Sequence, residues 1–383
     1  MATKKSSKIL ILVAVVVVVV VAAVIAVTQL SRTDSTIVIG VVGARTGDNA
    51  ALGEKQGNGA LLAAEEINAN GGVRGAKISL VLEDSQGLPA QAVACLDKLI
   101  YRENVVAVIG DCQSSPVLAM MPVIAKAQIP LLAHGTSLSI TQQNNPWVFR
   151  TRANDVVKFS ALVDLLVDQM NYSRIAVFHD SADYGMGGAD AIIGGLAGRN
   201  MEVVANESWT PGDKDFSSQL INIRSSNPEV VVFIGPMVDM GLAMKQARQV
   251  GIEAQFAGGA GIEGETTVSA AAGAAEGLVF CAGFISSNPD PKVQSFVTSF
   301  EEHYGYKPDD FAATGYDAIY LLAEAIEKAG STEPADIREA LANLEYQGVE
   351  GTFEFDSVGE GLHTMAYGKV VNGVPTYFDP SNQ

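Results

Sequence analysis

Small hydroxyl side chains stand at the end of a strand-like run twice in succession. Ser114-Ser115 follow the apolar run at 105–109 and open a helical stretch, while Thr136-Ser137 follow the run at 129–133, beside Gly135. Any one of these serines reads as an ordinary helix N-cap. Two such pairs on consecutive strand ends, next to glycine, read as groups converging on a carboxylate or an amide. That is the chemistry of holding a small polar molecule.

Motifs for other chemistry fail on spacing. Gly259-Ala260-Gly261-Ile262-Glu263-Gly264 has the form of the dinucleotide fingerprint and follows a strand-like run ending at Phe256. The acid that grips the ribose about 20 positions on is missing, because the next run reads Leu278-Val279-Phe280-Cys281. The stretch reads instead as a glycine-lined loop at a cleft. Between Gly47 and Lys55 the lysine does not directly follow the second glycine, so no phosphate loop is formed. His134, His179, His303 and His363 lack metal-ligand spacing, and no Gly-x-Ser-x-Gly nucleophile turn occurs. No catalytic residue, cofactor or metal is assigned, and an enzyme is not expected.

The elements that must position the hydroxyl residues alternate. Strand-like runs cover 36–42, 77–83, 105–109, 129–133, 174–178, 202–205, 230–234 and 278–281. Stretches with helical spacing, such as 59–70, 89–101, 155–170, 237–250 and 311–329, lie between them. Runs that are apolar throughout belong to strands covered on both faces, and strand–helix alternation gives right-handed βαβ units in parallel sheets. The pattern restarts near Arg150-Thr151-Arg152, so the expected fold is α/β with two doubly wound parallel-sheet lobes. Ligands bind beyond the carboxyl ends of such strands, and two facing sheets share that cleft.

The chain has 383 residues, 48% hydrophobic and 18% charged, enough for two domains with large cores. A formal net charge of −18 argues against nucleic acid, whose phosphates require basic partners. At the N-terminus Lys4, Lys5 and Lys8 precede an uninterrupted apolar run at 9–27. That run is long enough to span a bilayer and longer than most cleaved signal segments. We therefore expect residues 1–35 to form one hydrophobic anchor helix, with the rest on the outer face of the cell membrane, or secreted or periplasmic if the segment is removed. Asn171-Tyr172-Ser173 and Asn206-Glu207-Ser208 are glycosylation sequons. Cys95 and Cys112 are either a disulfide or buried thiols, with Cys281 left over.

Ordered pieces along the chain resemble the type I periplasmic binding proteins, specifically the Leu/Ile/Val-binding branch. They begin with Ala63-Ala64-Glu65-Glu66-Ile67-Asn68-Ala69-Asn70-Gly71-Gly72-Val73-Arg74-Gly75 and Leu82-Glu83-Asp84-Ser85-Gln86. His179-Asp180-Ser181-Ala182-Asp183-Tyr184-Gly185, Gly212-Asp213-Lys214-Asp215-Phe216 and Gly315-Tyr316-Asp317-Ala318 continue them. The resemblance implies two lobes joined by three hinge crossings, 36–151 plus 284–346 and 152–283 plus 347–383. It implies a solute-binding protein that closes on its ligand and delivers it to an ABC transporter permease. Carried over residue by residue, Ser114 holds a ligand carboxylate, and the Gly135 carbonyl and Ser137 hydroxyl hold an ammonium. Tyr184 closes over the ligand from the second lobe, and Leu52 and Phe311 line the pocket.

One departure bears on the ligand. Amino-acid binders of this branch carry an acid in the loop after the run ending at Phe256, where this chain has Ala260. Either Glu263 or Asp239 replaces it, or the ligand is an amide, a urea-like compound or a carboxylate without an ammonium. Met237 stands where the branch tends to have an aromatic, and Arg45 where it has an apolar residue. A sensory role through a membrane partner is the alternative to transport.

Overall fold

The computed structural model describes residues 36–47, 49–259, 261–262, 265–361 and 365–382. The expected anchor at 1–35 lies outside the described residues. Among those described, no helix is long and apolar enough to cross a membrane.

The first half builds β1 (Thr36–Gly43), α1 (Ala50–Ala69), β2 (Lys77–Asp84), α2 (Pro89–Tyr101), β3 (Ala107–Gly110), α3 (Ser114–Ala127), β4 (Leu131–Ala133) and β5 (Val148–Arg150). Its five strands run parallel in the order β2-β1-β3-β4-β5. The alternation of side chains across a strand divides β1 between two cores. Ile37, Ile39 and Val41 enter one cluster, while Val42 enters a second that Val38 packs against.

The chain then forms α4 (Asp155–Val163), which runs on through a π-helical turn (Asp164–Gln169). After it come β6 (Ile175–Asp180), α5 (Asp183–Ala197), β7 (Ala205–Trp209), α6 (Ser217–Ser225), β8 (Val230–Ile234), α7 (Met237–Gln249), β9 (Gln255–Gly258), α8 (Glu265–Ala271) and β10 (Val279–Ala282). Next are α9 (Pro291–Tyr304), α10 (Asp310–Ala329), α11 (Pro334–Ala342), a hairpin of β11 (Glu345–Gln347) and β12 (Thr352–Glu354), then β13 (Ala366–Val371) and β14 (Val374–Tyr377). The second sheet has the order β14-β13-β10-β9-β8-β6-β7. β6 to β10 are parallel, and β13 and β14 close one edge antiparallel, so this sheet is mixed rather than all-parallel.

Most runs expected from the sequence lie within a few residues of a strand, and the exceptions have physical causes. The helix expected at 59–70 begins at Ala50, because glycines that blur the helical pattern are needed for close backbone approach. A Cβ on Gly53 would stand 2.1 Å from the Ala44 carbonyl oxygen, and one on Gly59 would stand 1.9 Å from that of Ala312. The strand expected at 202–205 forms at Ala205–Trp209. It is an edge strand with Asn206 and Ser208 exposed, so it lacks the continuous apolar run of a covered strand.

Three crossings join the two lobes: from β5 into α4, from β10 through Gly283 and Phe284 to α9, and from β12 to β13. Phe284, Phe296, Ile319 and Leu322 return to the first core. Of the segment 347–383 that the resemblance gives to the second lobe, Val349, Phe353 and Phe355 also pack in the first core, whereas Val370 packs in the second. The Arg150 guanidinium, fully buried on the first crossing, pairs with the Glu360 carboxylate on the third and donates to Thr141 Oγ1 at 2.9 Å. The backbone follows, Arg150 N–H donating to the Gly359 carbonyl at 2.8 Å.

Candidate functional site

Every candidate residue of the first lobe lies where a strand ends or a helix begins. Ser114 is the first residue of α3, and its Oγ accepts the Ser137 N–H at 3.1 Å. Gly135 lies against it: a Cβ there would stand 2.9 Å from Ser114 Cα, so any larger residue would separate the two strand ends. Ser137 precedes the short turn Leu138–Ile140, its Oγ accepting the Ser139 N–H at 3.4 Å and its carbonyl accepting from the Arg150 guanidinium. The fold thus places Ser114, Gly135 and Ser137 side by side.

Leu52 is half-buried in the first turn of α1, and Phe311 is buried in the first turn of α10. Asp309 sets the start of α10 by accepting the N–H groups of Phe311 (3.1 Å) and Ala312 (3.2 Å), and it pairs with Lys55 at 2.6 Å. The Arg152 guanidinium lies 4.5 Å from the centroid of the Phe311 ring and pairs with Asp310, holding the aromatic against the first crossing.

On the second lobe, Tyr184 and Met237 open α5 and α7, which follow β6 and β8. The Tyr184 ring lies 6.4 Å from Phe159, and a Cβ on Gly259 would stand 3.3 Å from its hydroxyl. Gly261 adopts φ +94, and a Cβ there would lie 2.9 Å from Met237 Cγ. Glycine is needed on both counts. Ala260 and Glu263 lie outside the described residues. Met186 and Val238, 45% and 49% exposed, flank Tyr184 and Met237 and add apolar surface to this end of the sheet. Sequence reasoning missed both, although each lies within two residues of a candidate already chosen.

One of the candidate charges is committed elsewhere. Asp239 is buried, accepts the Gly212 N–H at 2.9 Å and pairs with Lys214 at 3.4 Å. Arg45 donates its backbone N–H to Asp84 at 2.8 Å, and its guanidinium lies along α1 over Gly57. Asp180 accepts the N–H groups of Ala182 (2.9 Å) and Gly185 (3.2 Å), its carboxyl pushed up by burial.

Beneath the first-lobe site is a polar floor that sequence reasoning did not find. The Cys112 thiol donates to Gln56 Oε1 at 3.1 Å, and Gln56 Nε2 lies 3.0 Å from His134 Nδ1. Burial first, then the positive Arg152, push the His134 imidazole down to about 3, so it stays neutral. The only hint in the sequence is that His134 adjoins Gly135. Cys95, Cys112 and Cys281 are all buried thiols and none is in a disulfide.

The arrangement is two sets of small polar and apolar groups at the carboxyl ends of two sheets joined by a hinge, suited to gripping a small molecule between lobes. Comparison with known proteins agrees. The sequence profile of the periplasmic binding protein family matches residues 36–374. An amino acid binding protein of Pseudomonas aeruginosa is 33% identical, covering 85% of this chain and 87% of its own. The leucine-, isoleucine-, valine-, threonine-, and alanine-binding protein of the same organism is 31% identical, covering 86% and 88%. Among solved structures, the leucine binding protein LivK of Thermotoga maritima superposes with a TM-score of 0.82 at 27% identity, covering 91% of this chain and 100% of that one. LivJ of Streptococcus pneumoniae in complex with isoleucine gives 0.81 at 28% identity, covering 90% and 99%. The chain belongs to the periplasmic binding protein family.

Proposed function

We propose that the chain is the extracytoplasmic solute-binding protein of an ABC transporter, and that an aliphatic amino acid bridges its two lobes. The observation that carries the reading is the Ser114–Gly135–Ser137 cluster. Because Ser114 Oγ accepts from the Ser137 N–H, its own proton is free to donate outward. In this reading that proton, with the positive end of α3, takes the ligand carboxylate, and the Gly135 carbonyl and Ser137 hydroxyl take the ammonium. Leu52 and Phe311 on one side and Tyr184 and Met237 on the other enclose the aliphatic side chain. The names of the curated relatives support the same ligand class.

The lobes are 36–151 plus the return segment from 284, and 152–283 plus the final strands. The loaded, closed form docks on a permease, with residues 1–35 as the membrane tether. Closure needs a ligand that prefers the closed form, which contacts from both lobes supply.

A second reading has a specific observation behind it. Four described acids near the site already have partners: Asp180 on backbone N–H groups, Asp239 on Lys214, Asp309 on Lys55 and Asp310 on Arg152. None of these four is left to neutralise an ammonium, whose burial without a partner costs several kcal/mol; buried Asp155, whose N–H donates to the Thr136 carbonyl at 3.2 Å, keeps one oxygen without a partner. A carboxylate ligand without an amine needs no such acid. Calorimetric titration of protein stripped by unfolding and refolding separates the two. Leucine, isoleucine, valine or alanine binding far more tightly than 4-methylpentanoate supports the amino-acid reading, and the reverse order supports the second. Binding of neither class would overturn both.

A further inference from the structure

The backbone that carries Gly135 and Ser137 is tied to the first crossing. The Ala133 carbonyl accepts the Thr151 N–H at 3.1 Å, and the Thr136 carbonyl accepts the Asp155 N–H at 3.2 Å. The Ser137 carbonyl accepts from the Arg150 guanidinium and from the Ile140 N–H at 3.2 Å. Arg150 also reaches the third crossing. Its Nε donates to the two Glu360 carboxylate oxygens at 2.9 and 3.0 Å. Thr141 Oγ1 stands between the pair, accepting from the guanidinium at 2.9 Å and donating to Glu360 at 2.8 Å.

This joint is buried and closely fitted. The Arg150 side chain is fully buried and that of Glu360 is 12% exposed. The third crossing can lie against β5 because Gly359 adopts φ +79 and a Cβ there would stand 2.1 Å from the Val148 carbonyl oxygen. Glu360 is held in turn, its N–H donating to Asp356 Oδ1 at 2.8 Å. A guanidinium presents its donors in a rigid fork and so serves a carboxylate, a hydroxyl and a carbonyl at once, whereas a lysine offers a single flexible head.

We propose that Arg150 is a positioning residue for the ligand site: braced by Glu360 and Thr141, it fixes the Ser137 backbone and with it the hydroxyl that meets the ligand. Ser137 is then held at its N–H by Ser114 and at its carbonyl by Arg150. A binding group gains affinity when its supporting hydrogen bonds hold it ready before the ligand arrives. A buried ion pair adds little net stability over an apolar pair of similar volume, and the value of this one lies in the geometry it fixes. The same joint ties the grip to the hinge, since a shift between the first and third crossings reaches Ser137 through Arg150. The role given to Arg150 rests on the amino-acid reading under Proposed function, in which the Ser137 hydroxyl takes the ammonium.

The test is calorimetric titration of leucine into the stripped protein, with amide hydrogen exchange over residues 134–144 as the second readout. Arg150→Lys keeps a charge beside Glu360 but loses the fork. It should weaken leucine about tenfold and, without ligand, speed exchange of the Ile140 N–H at least about tenfold. Thr141→Val removes the hydroxyl between Arg150 and Glu360. This milder change should weaken leucine about threefold, and it decides the matter if Arg150→Lys does not fold. Ile67→Ala, in the first core at the far end of α1 from Leu52, should lower the thermal midpoint and leave leucine binding as in the parent. A purely structural Arg150 would behave like Ile67→Ala, and an unchanged Kd in both Arg150→Lys and Thr141→Val overturns the inference. So does an equal loss of affinity in Ile67→Ala, or a weaker Kd without faster exchange, because Arg150 would then not act through Ser137. A parent that does not bind leucine overturns the amino-acid reading itself and the role of Arg150 with it, a failure seen before any variant is made.

Discussion

Ser114→Ala is the substitution that tests the proposed site most sharply. The hydroxyl oxygen accepts the Ser137 N–H at 3.1 Å, and the proposal has its proton donate to the ligand carboxylate. A hydrogen bond to a charged group contributes about 1.5–3 kcal/mol, which is a roughly 10- to 150-fold rise in Kd. Losing the support for Ser137 acts in the same direction, because the Ser137 hydroxyl is placed by that backbone. Ser114 is half-buried at a helix start, so the thermal midpoint should move little, by the equivalent of about 1 kcal/mol or less. Calorimetry on the stripped protein gives the affinity, and a melting curve shows that the fold survives. Ser115→Ala, exposed and one residue further on, is the control and should bind as the parent does. A loss of less than about threefold (~0.7 kcal/mol), or an equal loss in the control, would refute the role given to this hydroxyl.

Three further outcomes follow from the packing and the buried charges. A Cβ on Gly315 would stand 2.1 Å from the Gln56 carbonyl oxygen, where α1 and α10 cross. Gly315→Ala should therefore cost about 1–3 kcal/mol or more in urea unfolding, whereas Gly194→Ala, with open space around it, should be neutral or stabilising by up to about 1 kcal/mol. Arg152→Met strands Asp310 in the hinge and should cost about 3–5 kcal/mol; a loss below about 1 kcal/mol would mean that the pair is not buried as described. Burial raises the Asp317 carboxyl to about 7, above its value in the unfolded chain. The native state therefore holds that proton more tightly, and its stability falls as pH rises from about 4 to 7, by up to about 1.4 kcal/mol per pH unit. The stability difference between the protein and Asp317→Asn should follow that slope, and parallel curves would contradict it.

The legible parts of the molecule were those whose neighbours in space are also neighbours in sequence. β8 matches the expected 230–234 because a strand covered on both faces shows as an unbroken apolar run. The hydroxyl cluster joins residues 23 apart in sequence, yet was readable because Ser114 and Ser137 each lie four residues beyond a strand end and Gly135 lies two beyond. β13 and β14 were not readable, because they are partly exposed strands that pair antiparallel with no helix between them. The hinge charges were hidden for a different reason. Arg152 meets Asp310 across 158 residues, and Arg150 meets Glu360 across 210, so no local spacing announces either pair. Asp239 shows the converse: from sequence it was free to serve the ligand, and only the fold of the 212–214 loop commits it to Lys214.

Lobe closure on an amino acid is the central claim, and small-angle scattering of the stripped protein with and without saturating leucine tests it most directly. The account predicts a smaller radius of gyration with leucine, reversed on removal and absent for Ser114→Ala at a leucine concentration that just saturates the parent. Saturation by leucine with no change in the radius of gyration would contradict it.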